Sequence, residues 1–188
     1  MEGLQLKVTR DITLKNVVME DALDLFDLVD RSREYLGQWL PWVKNTVDIE
    51  SELSFIRNSM QRMEFGIGLD MGIWFHEKLA GIIGFNNIDL NNMKGTIGYF
   101  IGQKYQGNGI MISSCRTLVN YGFHKIGLNK IVIRCASENI KSRRIPEKLG
   151  FTVEGILREE ELLSSGYVNH YYYGMIRRDW DQAGTMVE

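Results

Sequence analysis

The chain has 188 residues, of which 44% are hydrophobic and 24% charged, with a formal net charge of −2. This length suits one domain, residues 1–188, that buries a core of its own, and the charge balance excludes the basic excess typical of nucleic-acid binders. The sequence has no apolar run of about 20 residues, so it predicts no membrane span. No signal-peptide pattern precedes the first strand. A cytoplasmic protein without nucleic-acid or membrane partners is therefore expected.

The predicted elements follow one another without repeats or linkers. Helical spacing of apolar residues runs over 19–33 and 49–64, and the segment 35–43, which contains Pro41, predicts a loop or a broken turn. Further helices are predicted at 110–125 and 140–149. The predicted strands are short apolar or β-branched runs, at residues 12–17, 71–75, 79–85, 96–101, 130–136, 152–162 and 168–175.

The connections between these elements predict a mixed sheet. Strands 71–75 and 79–85 form an antiparallel hairpin around His76-Glu77-Lys78, whereas strands 96–101 and 130–136 flank a helix and must be parallel, with a right-handed crossover. The expected fold class is therefore α/β of the mixed α+β kind. It has a single, mostly antiparallel sheet of about seven strands flanked by about four helices.

A glycine-rich loop, Gln106-Gly107-Asn108-Gly109-Ile110-Met111, joins strand 96–101 to the following helix. Its glycines let the backbone approach an anion, and the free amides and dipole at the helix start attract one. This arrangement suits a pyrophosphate. A dinucleotide fingerprint would need Gly or Ala in place of Ile112, and a P-loop would need Lys after Gly109. A tight turn that binds nothing is the alternative.

Four segments resemble the GNAT N-acetyltransferases, in the order that this family has them. Gln106-x-x-Gly109-x-Met111 resembles the family's Gln/Arg-x-x-Gly-x-Gly/Ala signature, residues 139–151 resemble its Asn-x-x-Ser…Glu-Lys-Leu-Gly-Phe segment, and residues 154–158 resemble its Glu-Gly-x-x-Arg continuation. Gln-Trp-Leu-Pro-Trp at 38–42 is similar to the ribosomal-protein, or Rim-type, branch. The resemblance covers residues 12–180 and implies the GNAT fold, acetyl-CoA as the acetyl donor and no metal.

For the coenzyme, the resemblance implies contacts with the glycine loop and with the end of strand 96–101. Asn139 is expected to bind the pantetheine arm, to cap the helix that follows, or to do both. Met111 replaces the usual small residue, so its side chain must point away from the phosphates, and Pro146 is expected to kink or shorten its helix. The implied coenzyme-binding residues are Ile101, Gln106, Gly107, Asn108, Gly109, Ile110, Met111 and Asn139.

Acetyl transfer to an amine requires a neutral amine, a stabilised oxyanion and a proton for the departing thiolate. Matching the Rim-type branch residue by residue places its proposed base at Glu161 and its proposed sulfur-protonating serine at Ser142. Glu159 and Glu160 are alternative bases, and on a regular strand Glu160 would face away from the other two. The alternatives without chemistry are a solvated acidic strand end and a serine that satisfies a backbone amide.

On the acceptor side, the aromatic residues Tyr35, Trp39 and Trp42 are candidates for the wall of a peptide groove. A hydrophobic plug over the core, or a contact in a homo-oligomer, is the alternative for this segment. His170 lies beside three tyrosines on the last predicted strand, from which it could reach the site.

The expected reaction is direct attack on acetyl-CoA in a ternary complex. The expected acceptor is the N-terminal α-amine of a protein, of the ribosomal-protein type. A terminal amine, with a pKa of about 7.7–8.0, is neutralised more easily than a lysine amine at about 10.4. A small-molecule amine (a polyamine, an amino acid or an aminoglycoside) is the alternative acceptor, and an acetyl-CoA-binding sensor without turnover is the alternative function.

Overall fold

A single eight-stranded sheet runs through the computed structural model, which describes residues 3–185. Its strand order is β1-β2-β3-β4-β5-β6-β8-β7. Within the described residues, β5 and β6 are parallel and the other neighbouring pairs are antiparallel. The strands are β1 (Gln5–Lys7), β2 (Ile12–Asn16), β3 (Leu69–Phe75), β4 (Lys78–Asp89), β5 (Lys94–Ile101), β6 (Lys130–Ala136), β7 (Thr152–Leu163) and β8 (Gly166–Ile176).

Helices cover both faces of this sheet. Ile82 and Ile83 are neighbours on β4 and therefore point to opposite faces. Ile83 belongs to the main core with α4, whereas Ile82 belongs to a second core with α1 and α3. No helix in the described part of the chain has the length and apolar character needed to cross a membrane. The helices are α1 (Ala22–Asp30), α2 (Arg33–Gly37), α3 (Ile49–Glu64), α4 (Ile110–Tyr121), α5 (Ile140–Lys148) and α6 (Arg177–Thr185).

The predicted fold class is confirmed, with small differences in the element counts. The short strand β1 and the helices α2 and α6 were not predicted, so the structure has eight strands and six α-helices over residues 3–185. The hairpin between β3 and β4 forms without a glycine, because His76 and Glu77 take the left-handed conformation with φ of 46° and 60°.

Residues 35–43, predicted as a loop or a broken turn, contain more helical structure than expected. The segment contains the end of α2 and most of a 3-10 turn, Pro41–Asn45. Leu36 and Val43 anchor it because both are buried in the second core. Pro41 starts the 3-10 turn, a position where its missing amide costs little. The aromatic segment is therefore ordered helical structure.

The parallel pair β5 and β6 separates partway along its length. Lys94 to Ile97 on β5 pair with Lys130 to Ile133 on β6, and the pairing stops there. The rest of β5, from Gly98 to Ile101, stays paired with β4 on its other edge. The backbone edge that faces β6 is thus left open near the sheet centre.

Candidate active site

The glycine loop turns the chain from β5 into α4 with two left-handed residues. Gly107 and Gly109 have φ of 80° and 69°, and a Cβ on either would meet nothing within 4 Å. The loop therefore needs glycine for its backbone conformation rather than for space. Gly109 is the N-cap of α4, whose first amides have no partner within the helix. Met111 is 7% exposed and packs in the main core, so its side chain points away from the loop.

A groove of about 520 Å³ lies beside this loop, and we call it the coenzyme groove. Asn108 is the one predicted coenzyme residue that does not line it. Its side-chain amide donates instead to the carbonyls of Tyr105 and Gln106, at 3.3 and 3.2 Å, and braces the loop. The predicted residues on the groove wall are Ile101, Gln106, Gly107, Gly109, Ile110, Met111 and Asn139.

Three basic side chains of α5 that were not predicted as site residues also line the coenzyme groove. They are Lys141, Arg144 and Lys148, whose spacing places them on one side of the helix, a signal that could have identified them. Lys141 Nζ donates to Gln106 Oε1 at 2.9 Å and ties α5 to the loop. The free amides at the start of α4 and the three cations supply donors, and the glycines leave room for an anion to approach. Together these groups fit a pyrophosphate.

Helix α5 begins at a cap and continues past its proline. Asn139 Oδ1 accepts a hydrogen bond from the Ser142 amide at 3.1 Å, so Asn139 caps the helix and also lines the groove. Pro146 does not end the helix, which runs to Lys148. Because Pro146 has no amide to donate, the Ser142 carbonyl lacks its usual helical partner. The Tyr99 hydroxyl donates to that carbonyl at 3.0 Å and thereby joins α5 to β5.

The Ser142 hydroxyl lies in a small cluster of neutral groups. Its Oγ is 3.3 Å from the Tyr99 hydroxyl and 3.2 Å from Cys135 Sγ. Burial raises the pKa of Tyr99 well above its usual range, and burial also raises the pKa of Cys135. Both neighbours therefore keep their protons. The Ser142 hydroxyl donates to the Tyr99 hydroxyl oxygen, whose own proton goes to the Ser142 carbonyl, so the Cys135 thiol is the neighbour able to donate to Ser142 Oγ.

A second cavity, of about 760 Å³, adjoins the coenzyme groove, and we call it the acceptor cavity. Its wall includes the open end of β5 and the end of β6, where the two strands separate. Donor and acceptor molecules held in the two spaces would meet where the walls coincide. The residues that line both are Trp39, Leu40, Tyr99, Phe100, Asn139 and Ser142.

A bulge in β7 changes which glutamates face the acceptor cavity. Leu157 pairs with His170 and Glu161 with Val168, so residues 158–160 stand opposite Asn169 alone. Glu159 takes a left-handed φ of 52°, and its amide donates to Asn169 Oδ1 at 2.9 Å. The regular alternation expected for the three glutamates is therefore wrong. Glu160 and Glu161 both line the cavity, and Glu159 does not.

Both cavity-facing glutamates have partners on neighbouring strands. Glu161 Oε2 lies 3.0 Å from His170 Nε2, and the His170 side chain is 13% exposed. Glu160 accepts a hydrogen bond from the Tyr172 hydroxyl at 2.7 Å and lies 3.9 Å from Arg134. His170, which the sequence left as a residue that could reach the site, does line the acceptor cavity.

The predicted acceptor aromatics divide between the two spaces. Trp39 lines both, and Trp42 lines the acceptor cavity with its ring centroid 5.4 Å from that of Phe100. Tyr35 lies on the coenzyme groove rather than on the acceptor side, because α2 turns it toward Lys141, whose Nζ is 5.6 Å from its ring centroid. Arg33 holds the segment in place by donating to the carbonyls of Val43 and Thr46, at 2.7 and 2.8 Å.

Two buried carboxylates that were not predicted as site residues line the acceptor cavity. Glu52 and Asp70 are each 4% exposed. Asp70 is paired with Arg62, whereas burial raises the pKa of Glu52 to about 7. Glu52 precedes the buried Ile56 by four residues on α3, so its position on the inward face was readable from the helical spacing.

Among the described residues, no three or more His, Cys, Asp or Glu side chains converge in a way that could hold a metal ion. Cys115 and Cys135 are both buried free thiols.

Known proteins with this arrangement are acetyltransferases. The family profile described as acetyltransferase (GNAT) domain matches residues 11–152. YdaF of Bacillus subtilis, provisionally named a ribosomal N-acetyltransferase, is 31% identical over 176 residues, which are 93% of this chain and 96% of YdaF. The chain therefore belongs to the GNAT acetyltransferases, and its resemblance to the ribosomal-protein branch is confirmed. It is an acetyl-CoA-dependent N-acetyltransferase.

Two solved structures share the whole architecture. RimL, a ribosomal L7/L12 α-N-protein acetyltransferase in complex with coenzyme A, superposes with a TM-score of 0.90 at 24% identity, over 92% of this chain and 98% of RimL. The microcin C7 self-immunity acetyltransferase MccE, in complex with acetyl-CoA and AMP, superposes with a TM-score of 0.87 at 29% identity, over 91% of this chain and 95% of MccE.

Proposed function

We propose that this enzyme acetylates the N-terminal α-amine of a protein by direct attack on acetyl-CoA in a ternary complex, and that the protein is a ribosomal one. One observation carries the proposal: the coenzyme groove and the acceptor cavity meet at Tyr99 and Ser142. Two substrates bound side by side can react there without a covalent intermediate on the protein. The ribosomal target is inferred from the names of YdaF and RimL, and such a target places the enzyme in the cytoplasm.

The coenzyme side of the reaction centre binds and orients the donor. The amides at the start of α4, with Lys141 and Arg144, hold the pyrophosphate. The unpaired edge of β5 from Gly98 to Ile101 supplies backbone groups along the arm of the coenzyme. When bound, acetyl-CoA supplies a thioester whose carbonyl carbon is attacked.

The acceptor side removes a proton from the amine. Glu161 lines the acceptor cavity and is fixed by His170 at 3.0 Å, so its carboxylate is held in one orientation. It accepts the proton that the amine loses as the nitrogen–carbon bond forms. His170 acts as a positioning residue that contacts the carboxylate.

The departing sulfur receives its proton from Ser142. The Ser142 hydroxyl lies at the junction of the two cavities, and the neutral hydroxyl of Tyr99 lies 3.3 Å away. As Ser142 gives its proton to the thiolate, the neutral Cys135 thiol, 3.2 Å from Ser142 Oγ, donates a hydrogen bond to the charge left on that oxygen, and a proton from solvent restores the hydroxyl.

A terminal amine suits this machinery better than a lysine amine. Neutralising a lysine at pH 7 costs about 4.6 kcal/mol, against about 1.2 kcal/mol for a chain-terminal amine, at about 1.36 kcal/mol for each pKa unit. A single partly exposed carboxylate held by a histidine suits the terminal amine, whose neutralisation costs less free energy.

The test is acetylation of synthetic peptides followed by mass spectrometry. Peptides that copy ribosomal-protein N-termini are compared with the same peptides blocked at the α-amine and carrying one lysine, and with spermidine, free amino acids and an aminoglycoside. We expect acetyl groups on free N-termini. Labelling confined to small amines would overturn the proposal in favour of a small-molecule acetyltransferase. Binding of acetyl-CoA without turnover on any amine would favour a sensor.

A further inference from the structure

Glu52 is a buried carboxylate without a partner on the wall of the acceptor cavity. It lies in the first turn of α3, and the residue is 4% exposed. Its Oε1 is inaccessible and accepts no hydrogen bond from any described residue. An unpaired carboxylate in such a place costs several kcal/mol of stability unless it is protonated or matched. A carboxylate that lowers the stability of the fold and faces a substrate cavity is a candidate for a role in substrate binding.

The other carboxylates of this cavity already have partners. Asp70 is paired with Arg62, Glu161 with His170, and Glu160 with Tyr172 and Arg134. The hydroxyl of Ser51, next to Glu52, is engaged by Asp48 at 2.9 Å. Among the described carboxylates that line this cavity, Glu52 is therefore the one without a partner.

The surroundings of Glu52 favour a cationic donor. Phe55 lies three residues further along α3, on the same side of the helix, and Trp42 and Phe100 line the same cavity. Aromatic faces attract ammonium groups, and a carboxylate next to them completes the site. Burial raises the pKa of Glu52 to about 7, so a bound ammonium would readily hold it in the charged form.

Glu52 lies at a distance from the junction of the two spaces, where the amine is acetylated. Helix α3 packs on β3, whereas Tyr99 at the junction is on β5, two strands further across the sheet. At about 4.8 Å for each strand spacing, the span is roughly 10 Å. An acceptor that reaches both places is longer than one amino acid, because an extended residue covers about 3.3–3.6 Å.

We propose that Glu52 binds a second ammonium group of the acceptor, several bonds away from the amine that is acetylated. The inference rests on the proposed function in one respect: in a protein N-terminus, the second ammonium is a lysine side chain at position two or three. In a small acceptor it would be the distal amine of a diamine. Glu52 thereby selects among substrates and takes no part in the chemistry.

The test compares acceptors that differ only in that ammonium. The peptides are Ala-Lys-Ala-Ala amide and Ala-Ala-Lys-Ala amide, each paired with its norleucine counterpart, and the small acceptors are 1,8-diaminooctane and octylamine. We expect kcat/KM to favour one lysine peptide over its counterpart by about tenfold or more, the size expected for a buried charge pair. In Glu52→Gln the ratio should fall to about one, since glutamine keeps the shape and loses the charge.

Glu50→Gln is the matched control. Glu50 lies in the same helical turn but is exposed and faces Arg57 at 3.5 Å, so this variant should keep the parent ratio. Calorimetry with acetyl-CoA verifies that each variant is folded. Where turnover is too slow to measure, calorimetric binding of the same compounds to the coenzyme A complex supplies the ratio.

The outcomes separate this inference from the proposed function. A lysine preference that Glu52→Gln abolishes supports both. Acetylation of the diamine but of no peptide, with a preference for the diamine that the variant abolishes, supports the role of Glu52 and overturns the peptide acceptor. A parent without preference in any of the three pairs, or a preference that the variant leaves intact, overturns the inference whether or not peptides are substrates.

Discussion

Glu161 Oε2 lies 3.0 Å from His170 Nε2, and the two residues reach the acceptor cavity from adjacent strands, β7 and β8. A carboxylate held by an imidazole in a cavity that adjoins the coenzyme groove has the geometry of a base with its positioning partner. This pair is the most direct target for mutation.

Glu161→Gln should lower kcat by about 10²–10⁴, the range typical for loss of a general base, because glutamine keeps the contact with His170 but takes no proton. Steady-state rates with a peptide acceptor measure the effect, and calorimetry should give nearly unchanged acetyl-CoA affinity. Glu159→Gln is the control, since Glu159 does not line the cavity. Equal rates for Glu161→Gln and the parent would remove Glu161 from its role.

Ser142→Ala should lower kcat with little effect on the KM for acetyl-CoA, because the proton for the sulfur is lost while the pyrophosphate site is intact. Tyr99→Phe should lower kcat less, since it removes the hydrogen bonds with the Ser142 hydroxyl and carbonyl, each worth about 1 kcal/mol, or roughly fivefold. A donor with a better thiol leaving group should rescue Ser142→Ala. Failure of that rescue would indicate that Ser142 serves only the structure of α5.

Gly109→Ala should weaken acetyl-CoA binding by roughly five- to thirtyfold, because a left-handed alanine costs about 1–2 kcal/mol and the loop would relax away from its φ of 69°. Binding of coenzyme A followed by calorimetry measures this. Gly155→Ala is a suitable control, since an added Cβ there meets no atom within 4 Å and no left-handed φ is required. Equal affinities in the two variants would contradict an anion-binding loop.

Glu52→Gln should stabilise the protein above neutral pH. Burial raises the pKa of Glu52 from 4.5 to about 7, so between these values the folded state binds a proton that the unfolded state has released. The free energy of unfolding therefore falls as pH rises through that window. Urea unfolding at pH 8 should show the variant more stable by about 1–3 kcal/mol, with a smaller difference at pH 5. An identical difference at both pH values would contradict the buried, unpaired state of Glu52.

The sequence indicates the parts of the site that depend on local chemistry. Gly107 and Gly109 mark the loop because only glycine takes their φ readily, and Asn139 marks the start of α5 because it caps the helix. Both are decided within a few residues of chain. The mixed sheet could also be predicted, because the crossover around α4 requires the two strands that flank this helix to be parallel.

Features that depend on distant partners could not be predicted in this way. The orientation of Glu160 depends on Asn169 of the neighbouring strand, whose side chain holds the bulge through the amide of Glu159. The position of Tyr35 depends on how α2 packs against the second core through Leu36. In each case the deciding contact joins segments that the sequence pattern treats separately.

The parting of β5 from β6 gives the sheet an unfinished hydrogen-bond ladder in its interior. At the rim of a sheet, such a ladder invites another chain to add itself and aggregate. Here β5 keeps β4 on its other edge and β6 keeps β8, so the gap lies inside the sheet and suits a slender, extended molecule in the manner of an added strand. Because both of its walls belong to one sheet, we expect the width of the gap to be nearly constant and to select the arm of the donor by its thickness.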